Sequence, residues 1–207
     1  MKLYPEVLNS KTKKALKALS RLEFIPQFYL AGGTGLALQL GHRFSQDLDF
    51  FSPKKFNEDE IIKQLSTLKN FQLYIRDKGT IIGFLNKVKI SFFLYEYNLL
   101  EDLLKFENIN LAHYLDIACM KISALSSRGT KRDFIDIYFV LKLIKLKNLL
   151  RKFKKKYKGI KFNLFHLKKS LIYFEDAENE PMPKMIKKVN WEEIKKFFIN
   201  EVKTLIF

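Results

Sequence analysis

Two aspartates stand at alternate positions inside an apolar run, Asp47-Leu48-Asp49-Phe50-Phe51, and upstream of them AGGTGLALQL sets Gly32, Gly33 and Thr34 behind another apolar run. Side chains alternate along a strand, so Asp47 and Asp49 point one way while Leu48 and Phe50 point the other. Two carboxylates brought together repel. A hard divalent cation relieves that repulsion, and Mg2+ is the usual choice where phosphate oxygens complete the shell. A Gly-Gly-Thr turn lets the backbone approach a phosphate closely, and a helix starting at about Thr34 aims free N–H groups at it. In this order the parts can hold a nucleoside triphosphate with its metal. Taken singly, the glycine turn also has a purely structural reading and the Asp-x-Asp a purely decorative one. The chain contains neither a GxxxxGKS phosphate loop nor a GxGxxG dinucleotide fingerprint.

Such residues need a strand, a tight turn, a helix and a second strand to position them. KTKKALKALSRLE at 11–23 has the apolar spacing of a helix, QFYLA at 27–31 that of a strand, GLALQL that of a helix, and DLDFF at 47–51 that of a strand. Asn57 with Glu60 forms a capping-box pattern for a helix through Leu68. FQLYI, TIIGFL and KVKISFFLY follow as β-branched and aromatic strands, with RDKG as a hairpin turn between the first two. From about Leu100 the spacing turns helical, with Leu111, Leu115, Ala118, Ile122 and Leu125 on one stripe and Phe134, Ile137, Tyr138, Leu141 and Ile144 on another. Pro181 and Pro183 mark a loop before a last helix capped by Asn190 and Glu193. The expected fold is α+β: a small mixed sheet in a core spanning residues 1–100, then a helical C-terminal subdomain over 101–207.

Charge and composition narrow the partners. The 207 residues carry a formal net charge of +16, and the segment from Lys142 to Lys169 holds 12 Lys and Arg with no Asp or Glu. Its lysines alternate with Leu, Phe, Tyr and Ile, so a helix docked by its apolar side turns cations outward toward a polyanion or simply toward water. The single cysteine, Cys119, excludes an internal disulfide and reads as packing in a reducing compartment. No apolar run approaches a membrane span and MKLYPEVLNSKTKK lacks a signal-peptide core, so a cytoplasmic location without membrane partners is expected.

The pattern Gly32-Gly33 followed by Asp47-Leu48-Asp49-Phe50 resembles the signature of the DNA polymerase β-like nucleotidyltransferase superfamily, and AGGTGLALQLGHRFSQDLDFF is similar to the AbiEii/AbiGii toxin family within it. DIACMKISALSSRGTKRDFIDIYFVL resembles that family's Lys and Arg-Asp motifs, and YFEDAENEPMP with WEEIKKFF resembles its C-terminal part, so most of the chain is covered in the expected order. The resemblance implies a polymerase β-like nucleotidyltransferase core acting as the toxin of a type IV toxin–antitoxin or abortive-infection system. It further implies an antitoxin partner, an NTP substrate, Mg2+, and transfer to RNA, in particular the acceptor end of tRNA. On this sequence Gly32, Gly33, Thr34, Arg43 and Ser45 fall at triphosphate-contacting positions, Asp47 and Asp49 at the metal ligands, and Lys121 and Asp133 at catalytic positions. Lys121 and Arg128 stand seven apart on one helix face, which suits phosphate contact or a solvated face.

Asp133 has a second explanation, since Gly129 can end one helix and Thr130 can cap the next with Asp133 in its first turn. Asp136 reads as an i, i+4 partner of Arg132, and His42 as a helix-end packing residue. One departure stands out. Relatives with a third carboxylate carry it on a neighbouring strand, whereas KVKISFF offers Lys87, Lys89 and Ser91 on that face. Either Asp133 supplies the missing group, or the acceptor is activated without a strong base, or the chain binds nucleotide poorly. Three readings follow: RNA-directed nucleotidyl transfer, transfer to a protein hydroxyl, and a non-catalytic RNA- or partner-binding module.

Overall fold

The computed structural model describes residues 2–205. Helix α1 (Ser10–Leu19) starts where the Asn9 side chain accepts a hydrogen bond from Thr12 N, and it buries Ala15, Leu16 and Leu19. After β1 (Tyr29–Leu30) come α2 (Gly32–Leu40), β2 (Leu48–Ser52) and α3 (Glu58–Leu65), the last capped by Asn57. Strands β3 (Phe71–Asp77), β4 (Thr80–Leu85) and β5 (Val88–Leu94) form an antiparallel meander. Its second turn is Asn86-Lys87, both at positive φ, the conformation a two-residue hairpin demands.

A second hairpin, β6 (Leu104–Phe106) and β7 (Ile109–Leu111), completes one seven-stranded sheet in the order β3-β4-β5-β2-β1-β7-β6. Here the expectation of helix from about residue 101 is corrected: helix begins only at α4 (Tyr114–Arg128), and Leu111 pairs in parallel with Leu30 on β1. The remaining helices are α5 (Lys131–Leu141), α6 (Leu146–Lys156), α7 (Leu164–Ser170), α8 (Glu175–Glu178) and α9 (Trp191–Lys203).

The sheet separates two cores. On one side Leu48 and Phe50 of β2 and Ile90 and Phe92 of β5 are completely buried against α1 and its neighbours, with Phe50 and Phe92 stacked at 5.1 Å. On the other side α4, α5, α6 and α9 gather a second apolar cluster that includes Tyr29 and Leu36. Each fully buried Leu, Ile or Phe on β2 and β5 contributes roughly 1.5–3 kcal/mol. That burial fixes the β2–β5 register, because a slip by one residue would turn Asp49 into the core and Phe50 into the cleft. The fold thus holds the alternate positions of β2 facing α4.

Candidate active site

All of the site residues expected from sequence, Gly32, Gly33, Thr34, Arg43, Ser45, Asp47, Asp49, Lys121, Arg128 and Asp133, line one cleft of about 730 Å³ between the sheet and α4–α5. Its floor is the β2–β5 pair. Asp49 lies opposite Ser91 and Phe51 opposite Phe93 in parallel register, and Asp47 sits one residue before β2, exposed at the near end. Gly32 has φ +59° and a Cβ on it would come within 2.6 Å of Asp49 Oδ2; one on Gly33 would come within 2.4 Å of Arg43 Nη2. The glycines therefore let the start of α2 press against the carboxylate and the guanidinium. Thr34, buried at that start, donates its hydroxyl to the Asp47 carbonyl and lies 2.8 Å from Ser45 Oγ, which ties the turn to the strand's approach.

Burial and the neighbouring Asp47 charge push the Asp49 carboxyl above the usual carboxylate range; Ser91, Lys89 and Lys121 pull it down without cancelling this. A divalent cation would reverse the imbalance, so the donor set suits one. Among the described residues no group of three His, Cys, Asp or Glu side chains could hold a metal. A cation here would take Asp47 and Asp49 from the protein and fill its shell with phosphate oxygens and water.

Behind the cleft lies a charge cluster that the sequence reading missed. Asp136, fully buried, accepts from Arg43 Nε at 2.7 Å and Nη2 at 2.9 Å, lies 2.7 Å from His42 Nε2, and pairs with Lys121 Nζ at 2.9 Å. The expected i, i+4 pair with Arg132 is not made: Arg132 is exposed at the cleft mouth, while Asp136 points inward, where stronger buried donors surround it. Burial alone would raise the Asp136 carboxyl, but Arg43 and Lys121 hold it well below the usual range. Burial keeps His42 neutral against the pull of Asp136, so its Nε2 carries the proton that Asp136 accepts. The residue is more than helix-end packing.

Lys121 is correspondingly not on a solvated face. It is 9% exposed and donates to Asp133 Oδ1 at 2.6 Å as well as pairing with Asp136. Asp133 Oδ2 accepts from Thr130 Oγ1 at 2.8 Å, while Thr130 Oγ1 in turn caps Asp133 N, so capping and contact with Lys121 coexist. Arg128, largely exposed, approaches the same carboxylate at 3.6 Å. With both oxygens engaged, Asp133 is not a free substitute for the missing strand carboxylate. Phe51, Phe93 and Tyr95 form an aromatic end to the cleft that went unremarked in the sequence; Phe51 lies 5.4 Å from Phe93 and 5.6 Å from Tyr95. The loop with Pro181 and Pro183 docks on the His42–Phe44 segment through Phe44 N to Lys184 O and Ile186 N to His42 O.

Solved structures share this frame. JHP933 from Helicobacter pylori superposes with a TM-score of 0.56 at 17% identity, covering 97% of this chain and 92% of that one. MenT4, a nucleotidyltransferase toxin from Mycobacterium tuberculosis, gives 0.57 at 12% identity over 96% and 87%. The fold is that of the polymerase β-like nucleotidyltransferases. Within the class, the family described as "Nucleotidyl transferase AbiEii toxin, Type IV TA system" matches residues 14–204, and the chain belongs to this family. The Aquifex aeolicus (strain VF5) protein aq_aa25 is 40% identical over 202 residues, covering 95% of this chain and 96% of the relative.

Proposed function

We propose that this nucleotidyltransferase moves a nucleotide from an NTP to an RNA acceptor, tRNA in particular, with Mg2+ held by Asp47 and Asp49. The observation that carries the reading is the meeting of the glycine-led α2 start, the carboxylate pair and the α4–α5 cations in one cleft. In this reading the acceptor hydroxyl forms the new bond to the α-phosphorus, the bond to the β-phosphate oxygen breaks, pyrophosphate leaves, and the hydroxyl proton passes to solvent. The metal, when bound, neutralises charge on the phosphoryl oxygens. The first peptide N–H groups of α2 and Ser45 hold the leaving phosphates, and Arg43 and Lys121, held in place by Asp136 and Asp133, stand beside them as hydrogen-bond donors. Such transfer depends chiefly on positioning and charge, so no strand carboxylate is needed as a base.

The RNA reading is supported by the basic segment. Helix α6 buries Leu146, Leu149, Leu150 and Phe153 and turns most of its cations outward, and Tyr157 at its end meets Tyr95 of the cleft hydroxyl to hydroxyl. The sheet with α1–α3 would serve as the nucleotidyltransferase core and α4–α9 as the helical part that completes the cleft. As a type IV toxin, the protein would act in the cytoplasm opposite a cognate antitoxin. None of the described helices is long and apolar enough to cross a membrane. The test is incubation with each α-labelled NTP, Mg2+ and total RNA. Label on tRNA that disappears in Asp47→Asn and Asp49→Asn is the expected result; label on protein alone, or on nothing, refutes RNA transfer.

A further inference from the structure

Five cations line the cleft: Arg43, Lys89, Lys121, Arg128 and Arg132. Arg43 and Lys121 are committed to the buried carboxylates of Asp136 and Asp133. Arg128 leans on Asp133 from the surface, and Arg132 is exposed at the mouth, where water satisfies it. Lys89 differs from all four. It is half-buried on the floor, and among the described residues its ammonium makes no ion pair or hydrogen bond. Its place is set by register: Leu48 pairs with Ile90 and Asp49 with Ser91, so Lys89 begins the same row of β5 that continues through Ser91 and Phe93.

Charge balance shows what that ammonium is for. The Asp47 and Asp49 carboxylates carry two negative charges, which a divalent cation cancels, and Asp133 and Asp136 cancel Arg43 and Lys121. With a divalent cation in place, Lys89 would remain on the cleft floor as a cation with no carboxylate of its own, placed to meet an anion that enters the cleft. We propose that Lys89 is a phosphate-binding residue of this cleft, occupying the row where a third carboxylate would otherwise repel an anion. This rests on the nucleotide-transfer reading, and its ligand is a phosphate of either the NTP or the RNA acceptor.

Lys89→Met keeps the aliphatic stem and removes the charge; Lys89→Arg keeps the charge. Titration of each variant and the wild type with inorganic triphosphate, with Mg2+-NTP and with tRNA separates the outcomes, with thermal melting as the folding control. A charge-assisted contact is worth about ten- to a hundredfold in affinity. Loss of that size for triphosphate and NTP in Lys89→Met, with Lys89→Arg near wild type, assigns the phosphate to the nucleotide. Loss confined to tRNA, with a salt slope shallower by about 0.7–0.9, assigns it to the acceptor. Wild-type affinity of Lys89→Met for all three probes, or equal losses in both variants, overturns the proposal and leaves nucleotide transfer standing. Conversely, loss of triphosphate binding in Lys89→Met by a protein that labels no RNA sustains the phosphate site and refutes RNA transfer. A wild type that binds none of the probes overturns both.

Discussion

Replacing Asp136 with asparagine leaves two buried cations short of their counter-ion. Arg43 is 4% exposed and Lys121 9%, so neither can recover much hydration where it stands. Breaking a buried ion pair by removing one partner costs about 3–5 kcal/mol. Lys121 keeps Asp133 and the asparagine oxygen still accepts one hydrogen bond, which sets the expected loss near the lower end, about 3 kcal/mol. In a chain of this length each kcal/mol lowers the melting temperature by about 2–4 °C, so Asp136→Asn should melt about 6–12 °C below the wild type. Nucleotide transfer should fall with it, since Arg43 loses its fixed orientation beside Gly33. Thermal unfolding followed by circular dichroism measures the first effect and labelled-NTP transfer the second. Arg43→Met with Lys121→Met and Asp136→Leu should also be inactive and should stay less stable than the wild type, because Asp133 then loses Lys121 and His42 loses its buried acceptor. An Asp136→Asn protein that melts within about 2 °C of the wild type would refute the assignment of Asp136 as the carrier of this cluster.

The pH dependence of Asp136 has the opposite sense to that of Asp49. Asp136 is held below its unfolded value, so its stabilisation is full above the ordinary aspartate pKa and lost as pH falls through the lower folded one; acid unfolding of Asp136→Asn should lack that component. Asp49 is raised, so in metal-free protein its ionised form is a cost that disappears as pH falls through the raised folded value, and above that range Asp49→Asn should melt higher than the wild type while transferring nothing. For the same reason Mg2+ affinity should decline on acidification already above the usual carboxylate range, measurable by calorimetric titration. Gly32→Ala meets both a positive φ and Asp49 Oδ2, and should lose about 1–2 kcal/mol of stability and most nucleotide binding. Lys156 is buried on Asp116 at 2.7 Å and belongs to the core, so the RNA test falls on exposed Lys155, Lys158 and Lys161: their Gln variants should label RNA less, with a shallower salt slope and unchanged NTP affinity.

The placing of Asp47 and Asp49 beside the glycine turn was legible because its information is local: strand alternation, a tight turn and a helix start each show within a few residues. The β6–β7 hairpin was not, because strands of three residues are shorter than any period, and Leu111 fits both a helical stripe with Leu115 and an alternation with Ile109. Asp136 left one overlooked signal, an acid inside the apolar run FIDIYFVL, where a solvated partner such as Arg132 could not follow it. Its true partners, His42 and Arg43, lie more than ninety residues away in sequence, and spacing carries no information about such distances. The resemblance to a family supplied what spacing did not for Lys121, which by periodicity alone reads as surface.

The long reach of that contact also sets a clock. Synthesis proceeds at about 5–20 residues per second, so the 93 residues between Arg43 and Asp136 separate the making of the two partners by roughly 5–20 s. During that interval the glycine turn, Asp47 and Asp49 already exist on the nascent chain, yet Arg43 lacks Asp136 to orient it and, until β7 is made, β1 has a free edge. A ribosome that stops early, or a gene cut short by a nonsense mutation before the Asp136 codon, therefore releases a fragment that carries Asp47 and Asp49 without the Arg43–Asp136 pair behind them. For a toxin this is a safeguard written into chain order: harm to the cell waits until the helix that carries Asp136 has been made.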